Sequence, residues 1–93
     1  MDNNFMTLED TLLLCSENYL EFKKSAEEAV NKDEKVKYYK KALFWLETYV
    51  ATINILIAEK NAKSDEELEK VEKAKKALIN KLSNYLNEIV KDL

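Results

Sequence analysis

The sequence contains no glycine and no proline among its 93 residues. These two residues supply the special backbone angles of tight turns. Their absence argues against β-hairpins, tight loops and the glycine-rich loops that bind phosphate. Apolar residues instead recur at steps of three and four along the chain, which is the period of one helix face. Composition and period together predict an all-α fold built from long helices.

Histidine and arginine are also absent, and all 15 basic residues are lysine. The chain therefore lacks the commonest general base and metal ligand. It also lacks the bidentate side chain that recognises phosphate and guanine. The formal net charge is -3, which disfavours nucleic acid as a partner. We predict a protein that is not an enzyme, with no catalytic residue, no metal site, no cofactor and no nucleic-acid partner.

Cysteine occurs once, at Cys15, so no disulfide can form within the chain. Cys15 falls on an apolar helix position, which predicts a buried structural thiol. A lone thiol fits a reducing compartment, and residues 1–4 lack the basic start of a signal peptide. We therefore predict a cytoplasmic location.

The most apolar stretch, residues 42–58, raises the question of a membrane span. It is shorter than the roughly 20 residues that a spanning helix needs. It also contains Glu47 and Asn54, and polar side chains are costly in a bilayer. We predict no direct membrane insertion.

The apolar pattern divides the chain into three helical segments, roughly residues 5–30, 34–61 and 65–92. Each would be about 40 Å long at 1.5 Å per residue. The short connectors favour antiparallel neighbours, and the heptad spacing favours coiled-coil-like crossings. The sequence predicts one domain, residues 1–93, folded as a three-helix antiparallel bundle. Ser64 and Glu67 are spaced as a capping box at the start of the third helix.

Each segment carries an apolar stripe that predicts its buried face. The first stripe is Phe5, Leu8, Leu12, Cys15, Tyr19, Phe22, Ala26 and Ala29. The second is Val36, Tyr39, Leu43, Leu46, Val50, Ile53 and Ile57. A second apolar row, Ala42, Tyr49 and Leu56, lies beside it, so this helix is apolar around most of its circumference and is expected to be the most buried. The third is Leu68, Val71, Leu78, Leu82, Tyr85 and Ile89, widened by Ile79, Leu86, Val90 and Leu93 and interrupted by Lys75.

Three aromatic residues, Tyr38, Phe44 and Trp45, lie beside the second stripe. One interpretation is that they line a groove for a partner helix. The other is that the bundle buries a wide arc of its central helix, as aromatic residues at helical spacing usually indicate.

Four lysines, at positions 35, 37, 40 and 41, crowd the start of the second helix, where positive charge opposes the helix dipole. They form either a basic patch for an acidic ligand or a set of surface charges that pair with nearby glutamates or are solvated.

The order of alanines, tyrosines and leucines resembles a known family. Ala26, Ala29 and Asp33 precede Tyr39, Ala42, Leu43, Tyr49 and Val50, and Lys81, Tyr85 and Leu86 follow in the third helix. Over residues 20–93 this order resembles the microtubule-interacting and trafficking (MIT) domain of Vps4-type AAA ATPases.

The resemblance implies an adaptor domain that binds short helical or extended tails of ESCRT-III-like proteins in an inter-helix groove. The peptide would lie between the second and third helices, against Phe44, Trp45, Ile79 and Leu86, with Lys41 at the rim favouring an acidic tail. Two alternatives stay open. One is a self-associating structural bundle, viral or archaeal, that forms a homodimer. The other is a small acidic inhibitor or immunity protein.

Overall fold

A computed structural model describes residues 7–91, with side chains as far as Glu88. Three helices follow one another: α1 (Leu8–Glu28), α2 (Lys32–Asn61) and α3 (Asp65–Lys91). No strand occurs in this part of the chain. The predicted class, an all-α three-helix bundle, is confirmed, and the predicted start of the second helix is two residues too late.

The chain divides into two compact units whose boundary falls inside α2. One unit, here called the N-terminal hairpin, contains α1 and the part of α2 that ends at Ile53. The other, the C-terminal hairpin, contains α2 from Asn54 onward together with α3. The single domain expected over residues 1–93 stays a prediction.

Side-chain caps fix where α1 and α2 begin. The Oγ1 of Thr7 accepts a hydrogen bond from the backbone N–H of Asp10 at 3.0 Å. The Asp10 carboxylate accepts one from the Thr7 N–H at 3.4 Å, which completes a capping box. Asn31 caps α2, because its Oδ1 accepts from the Asp33 N–H at 2.7 Å.

The predicted cap of α3 is present in a slightly different form. Ser64 Oγ accepts a hydrogen bond from the Glu67 N–H at 3.2 Å. The Glu67 carboxylate in turn accepts from the Lys63 N–H at 3.0 Å and from the Ser64 hydroxyl at 3.3 Å. Lys63, rather than Ser64, therefore supplies the second backbone donor.

The carboxyl end of α1 is stabilised by the next helix. The last turn of α1 contains no basic residue, so its own sequence offers no charge to the negative end of the helix dipole. Lys35 of α2 fills this role, because its Nζ donates to the Ala26 carbonyl at 2.9 Å. The Ala29 N–H donates to the same carbonyl at 3.3 Å.

The predicted stripe of α1 does face inward. Cys15 and Ala26 are fully buried, and Leu8, Leu12, Tyr19, Phe22 and Ala29 are half-buried. Thr11, which the pattern did not include, is buried as well. Its hydroxyl donates to the Thr7 carbonyl at 3.0 Å. Phe5 lies outside the described residues.

The predicted buried stripe of α2 is wrong. Six of its seven residues are exposed: Val36, Tyr39, Leu43, Leu46, Val50 and Ile57. The buried residues of this helix are Ala42, Trp45, Thr48, Thr52 and Ile55. Both threonines are completely inaccessible, and their hydroxyls donate to carbonyls four residues earlier: Thr48 to Phe44 and Thr52 to Thr48, each at 2.8 Å. Because these hydroxyls are satisfied within the helix, the side chains can be buried at little cost.

In the C-terminal hairpin, α3 follows its predicted stripe. Val71 and Leu78 are buried, and Leu82 and Tyr85 are half-buried. Leu68 is exposed, and so are Ile79 and Leu86, two of the residues expected to widen the stripe. The predicted residues Ile89, Val90 and Leu93 fall outside the described side chains.

Lys75, which interrupts the stripe of α3, connects the two helices of this hairpin. Its ammonium contacts the carboxylate of Glu59 on α2 and that of Glu72 at 3.4 Å. The hydrogen bond to Glu59, aided by the charges of Glu59 and Glu72, raises the pKa of Lys75 above its ordinary 10.5, against a smaller opposing effect of burial. The break in the stripe is therefore occupied by an ion pair.

Replacing Thr7 with alanine should lower the free energy of unfolding by about 1 kcal/mol, because the backbone N–H of Asp10 loses the hydroxyl that caps it. Thr7→Ser is the matched control and should unfold as the wild type does. Urea denaturation followed by circular dichroism measures both, and equal stability of all three proteins would contradict the cap.

A double-mutant cycle with Lys75→Met and Glu59→Gln should give a coupling free energy of about 0.5–1 kcal/mol, since the pair is partly exposed to solvent. Added salt should reduce it. A raised lysine pKa means that this stability is present below pH 10.5 and lost as the pH rises through the folded-state value. A coupling of zero at low salt would show that the contact has no energetic role.

Candidate functional site

The exposed residues of α2 in the N-terminal hairpin form one continuous stripe. Val36, Tyr39, Leu43, Leu46 and Val50, here called the α2 stripe, are 37% to 53% exposed. Their spacing alternates between three and four residues. This is the pattern of the contact positions of a coiled coil, and here it faces solvent.

Helix α1 adds two leucines beside this stripe. Leu13 and Leu20 are 61% and 58% exposed, and they are seven residues apart, on the same side of α1. Leu20 and Leu46 both line a 230 Å³ cavity, together with Ser16, Tyr19 and Tyr49. The α2 stripe together with Leu13 and Leu20 is called the hairpin face below.

Isolated apolar residues on a protein surface are normal. The hairpin face differs, because its seven large side chains lie on adjoining helices and five of them follow a heptad. Contiguous apolar patches of this kind mark interaction sites in soluble proteins.

Charged residues border the α2 stripe. Lys40 and Glu47 are both exposed, and each directly follows a residue of the stripe. The neighbouring lysines are engaged with α1: Lys41 Nζ lies 5.5 Å from the centre of the Phe22 ring, and Lys35 donates to a carbonyl of α1. Within the lysine cluster, Lys37 and Lys40 are thus the two most exposed to solvent.

The aromatic residues expected to line a groove pack within the N-terminal hairpin. Trp45 is only 4% exposed. Phe44 is half-buried and stands edge-on to it, with ring centroids 5.2 Å apart. Tyr38 stacks on Phe22 of α1 at 6.4 Å. The structure thus places Trp45 on the buried side of α2, opposite to the exposed stripe.

The other predicted contact residues, Ile79 and Leu86, lie on α3. They are 51% and 56% exposed, and their seven-residue separation puts them on one side of that helix. They belong to the C-terminal hairpin, whereas Lys41, Phe44 and Trp45 belong to the N-terminal one.

A second cavity, of 390 Å³, opens in the C-terminal hairpin. Its walls come from the end of α2 and the start of α3, and include Asn54, Ile55, Ala58, Lys70, Val71 and Ala74. None of the five predicted peptide-binding residues lines either this cavity or the one beside Leu20.

The sequence contained a signal that separates the two faces of α2. Ala42, Trp45, Thr48, Thr52 and Ile55 also recur at steps of three and four. The apolar pattern includes Ala42 and Trp45 but not Thr48 and Thr52, because threonine counts as polar in a hydrophobic pattern. The small alanine and threonine side chains between the larger ones were the available clue to a closely packed surface.

Within residues 7–91, no group of three or more Asp, Glu or Cys side chains is arranged to hold a metal ion. Helix α2 is long and apolar enough to cross a membrane, with a mean hydropathy of 1.3 over 18 residues, 28% of which are buried. Core helices of soluble proteins meet the same criterion, so this observation alone assigns no span.

No protein-family model matches the chain, and no curated protein or solved structure matches it. The resemblance to the MIT domain therefore stays a prediction based on residues alone.

The two faces of α2 should respond oppositely to mutation. Trp45→Ala should lower the free energy of unfolding by about 3 kcal/mol or more, because it leaves a cavity at a buried position. Leu43→Gln/Val50→Gln should change it by no more than about 1 kcal/mol, because both side chains are half in solvent. Urea denaturation at low protein concentration, followed by circular dichroism, compares them. A greater loss for the double variant would place the stripe in the core.

Proposed function

We propose that this protein is an interaction module that binds an amphipathic helix along its hairpin face. The observation that carries the proposal is the α2 stripe, a heptad-spaced row of large apolar side chains exposed to solvent.

The spacing selects the shape of the ligand. A row that alternates steps of three and four stays on one side of a slightly supercoiled helix. Another helix of the same period can contact every residue of the row, over about 22 Å for residues 36–50. An extended peptide has a period of two and would meet only part of it.

Burial supplies the free energy. Apolar surface contributes about 25 cal/mol for each Å² removed from water, and the seven side chains of the hairpin face are each more than a third exposed. Lost translational freedom and side-chain ordering offset much of this gain. A dissociation constant in the micromolar range is therefore expected.

The ESCRT-III-like tail implied by the MIT resemblance is a second candidate ligand. The 390 Å³ cavity between α2 and α3 favours it, since this is the helix pair between which the resemblance places the peptide. The contacts that the resemblance implies, Phe44, Trp45, Ile79, Leu86 and Lys41, lie outside this cavity, so a tail seated in it would contact residues such as Lys70 and Val71 instead. Burial of Trp45 favours an indirect role for that residue, through the packing of α2.

The test uses a fluorescein-labelled synthetic helix with leucines at heptad spacing and glutamates beside them, titrated with the protein and followed by fluorescence anisotropy. Leu43→Gln/Val50→Gln should weaken its binding about tenfold or more, because two apolar contacts become polar. Lys37→Gln is the matched control, since this exposed residue of the same helix is not in the stripe.

Equal binding by the double variant and the wild type would overturn the proposal. Binding that survives Leu43→Gln/Val50→Gln but falls with Lys70→Glu would assign the peptide to the cavity of the C-terminal hairpin instead.

A further inference from the structure

We infer that the helix received by the hairpin face is α2 of a second copy of this chain, with the two α2 helices antiparallel. The inference rests on the proposed function and names its partner. Two observations support it: when α2 is paired with a second α2, apolar residues of the stripe meet apolar residues, and the lysine beside the stripe meets a glutamate.

Antiparallel pairing brings apolar residues together in every layer. With the two-fold axis between Leu43 and Leu46, each Leu43 meets Leu46 of the second copy, and Tyr39 meets Val50. The next layer pairs Val36 with Ile53, which is half-buried at the end of the same row. No polar residue falls in these layers, so the surface is self-complementary over residues 36–53.

The same register pairs the bordering charges. Each heptad of the stripe has two core residues, and Tyr39 and Leu46 are the second of their heptads. In an antiparallel coiled coil, the residues directly after these second core residues face each other across the interface. Here those residues are Lys40 and Glu47, both exposed. Each Lys40 therefore faces Glu47 of the second copy, and the two-fold axis repeats the contact.

A parallel pair lacks this match. In a parallel coiled coil, the residue directly before the first core residue of a heptad faces, on the other helix, the residue directly after the second core residue of that same heptad. These residues are Lys35, before Val36, and Lys40, after Tyr39. Lys35 would then face Lys40 of the second copy, and like charges across an interface oppose association. The charge pattern thus selects the antiparallel orientation.

The α1 leucines extend the same surface. Leu13 and Leu20 lie beside the stripe, since Leu20 lines the same cavity as Leu46. Pairing over residues 36–53 covers about 27 Å of helix, and the leucines add area on both sides of the two-fold axis. An interface of this size fits a dimer that forms at micromolar concentration.

Charge exchange provides the test. Sedimentation velocity over a range of protein concentrations gives the dimer dissociation constant of the 10.9 kDa chain. Lys40→Glu alone, or Glu47→Lys alone, should weaken the dimer roughly tenfold at low salt, since two attractive contacts become repulsive. Lys40→Glu/Glu47→Lys should restore it, as should an equimolar mixture of the two single variants. Lys37→Glu alters net charge as Lys40→Glu does, on another side of α2, and should have little effect.

Several outcomes would overturn the inference. A dimer unaffected by Leu43→Gln/Val50→Gln would use another surface, and failure of both the double exchange and the mixture to restore association would exclude this register. A monomer at all concentrations that binds the labelled helix would leave the proposed function intact with a different partner. A monomer that binds no helix would contradict both. A monomer that binds phosphatidylcholine vesicles through Leu43 and Val50 would assign the face to a lipid surface.

Discussion

The hydrogen bonds of Thr48 and Thr52 allow their side of α2 to be buried. Each hydroxyl donates to the carbonyl four residues earlier in the same helix, so neither side chain needs an outside partner when water is excluded. The small threonines share the buried side with Ala42, Trp45 and Ile55. With that side buried, the more apolar stripe is left in solvent. Thr11 of α1 is buried by the same device.

The start of α2 follows from the same packing. Lys35 reaches the carboxyl end of α1, where a cation offsets the helix dipole, and Lys41 lies on the Phe22 ring. Neither of the sequence-based explanations for the lysine cluster, an open basic patch or pairing with glutamates, describes these two contacts. The cluster therefore joins α1 to α2 and leaves Lys40 beside the exposed stripe.

Much of the fold was predictable because its signals are local. The absence of glycine and proline, the helical periods and the Ser64–Glu67 box located three helices to within a few residues. The stripe of α1 was predictable too, since α1 has only one apolar side of regular spacing.

Helix α2 has two regular sides, and hydrophobicity favoured the wrong one. The groove assigned to Trp45 rested on that choice, whereas the hairpin face combines residues of two helices that no single-helix pattern joins.

By itself, the sequence determined the helical class, the approximate helix positions and the residue types that the chain lacks. These properties depend on neighbouring residues, on residue types that are missing and on backbone hydrogen bonds within a few positions. Only the tertiary structure decided which side of α2 is exposed and that Leu20 and Leu46 line one cavity. The physical reason is that burial depends on the fit between two surfaces. Small threonine side chains let another helix approach closely, and their hydroxyls need no outside partner because they are hydrogen-bonded within the helix.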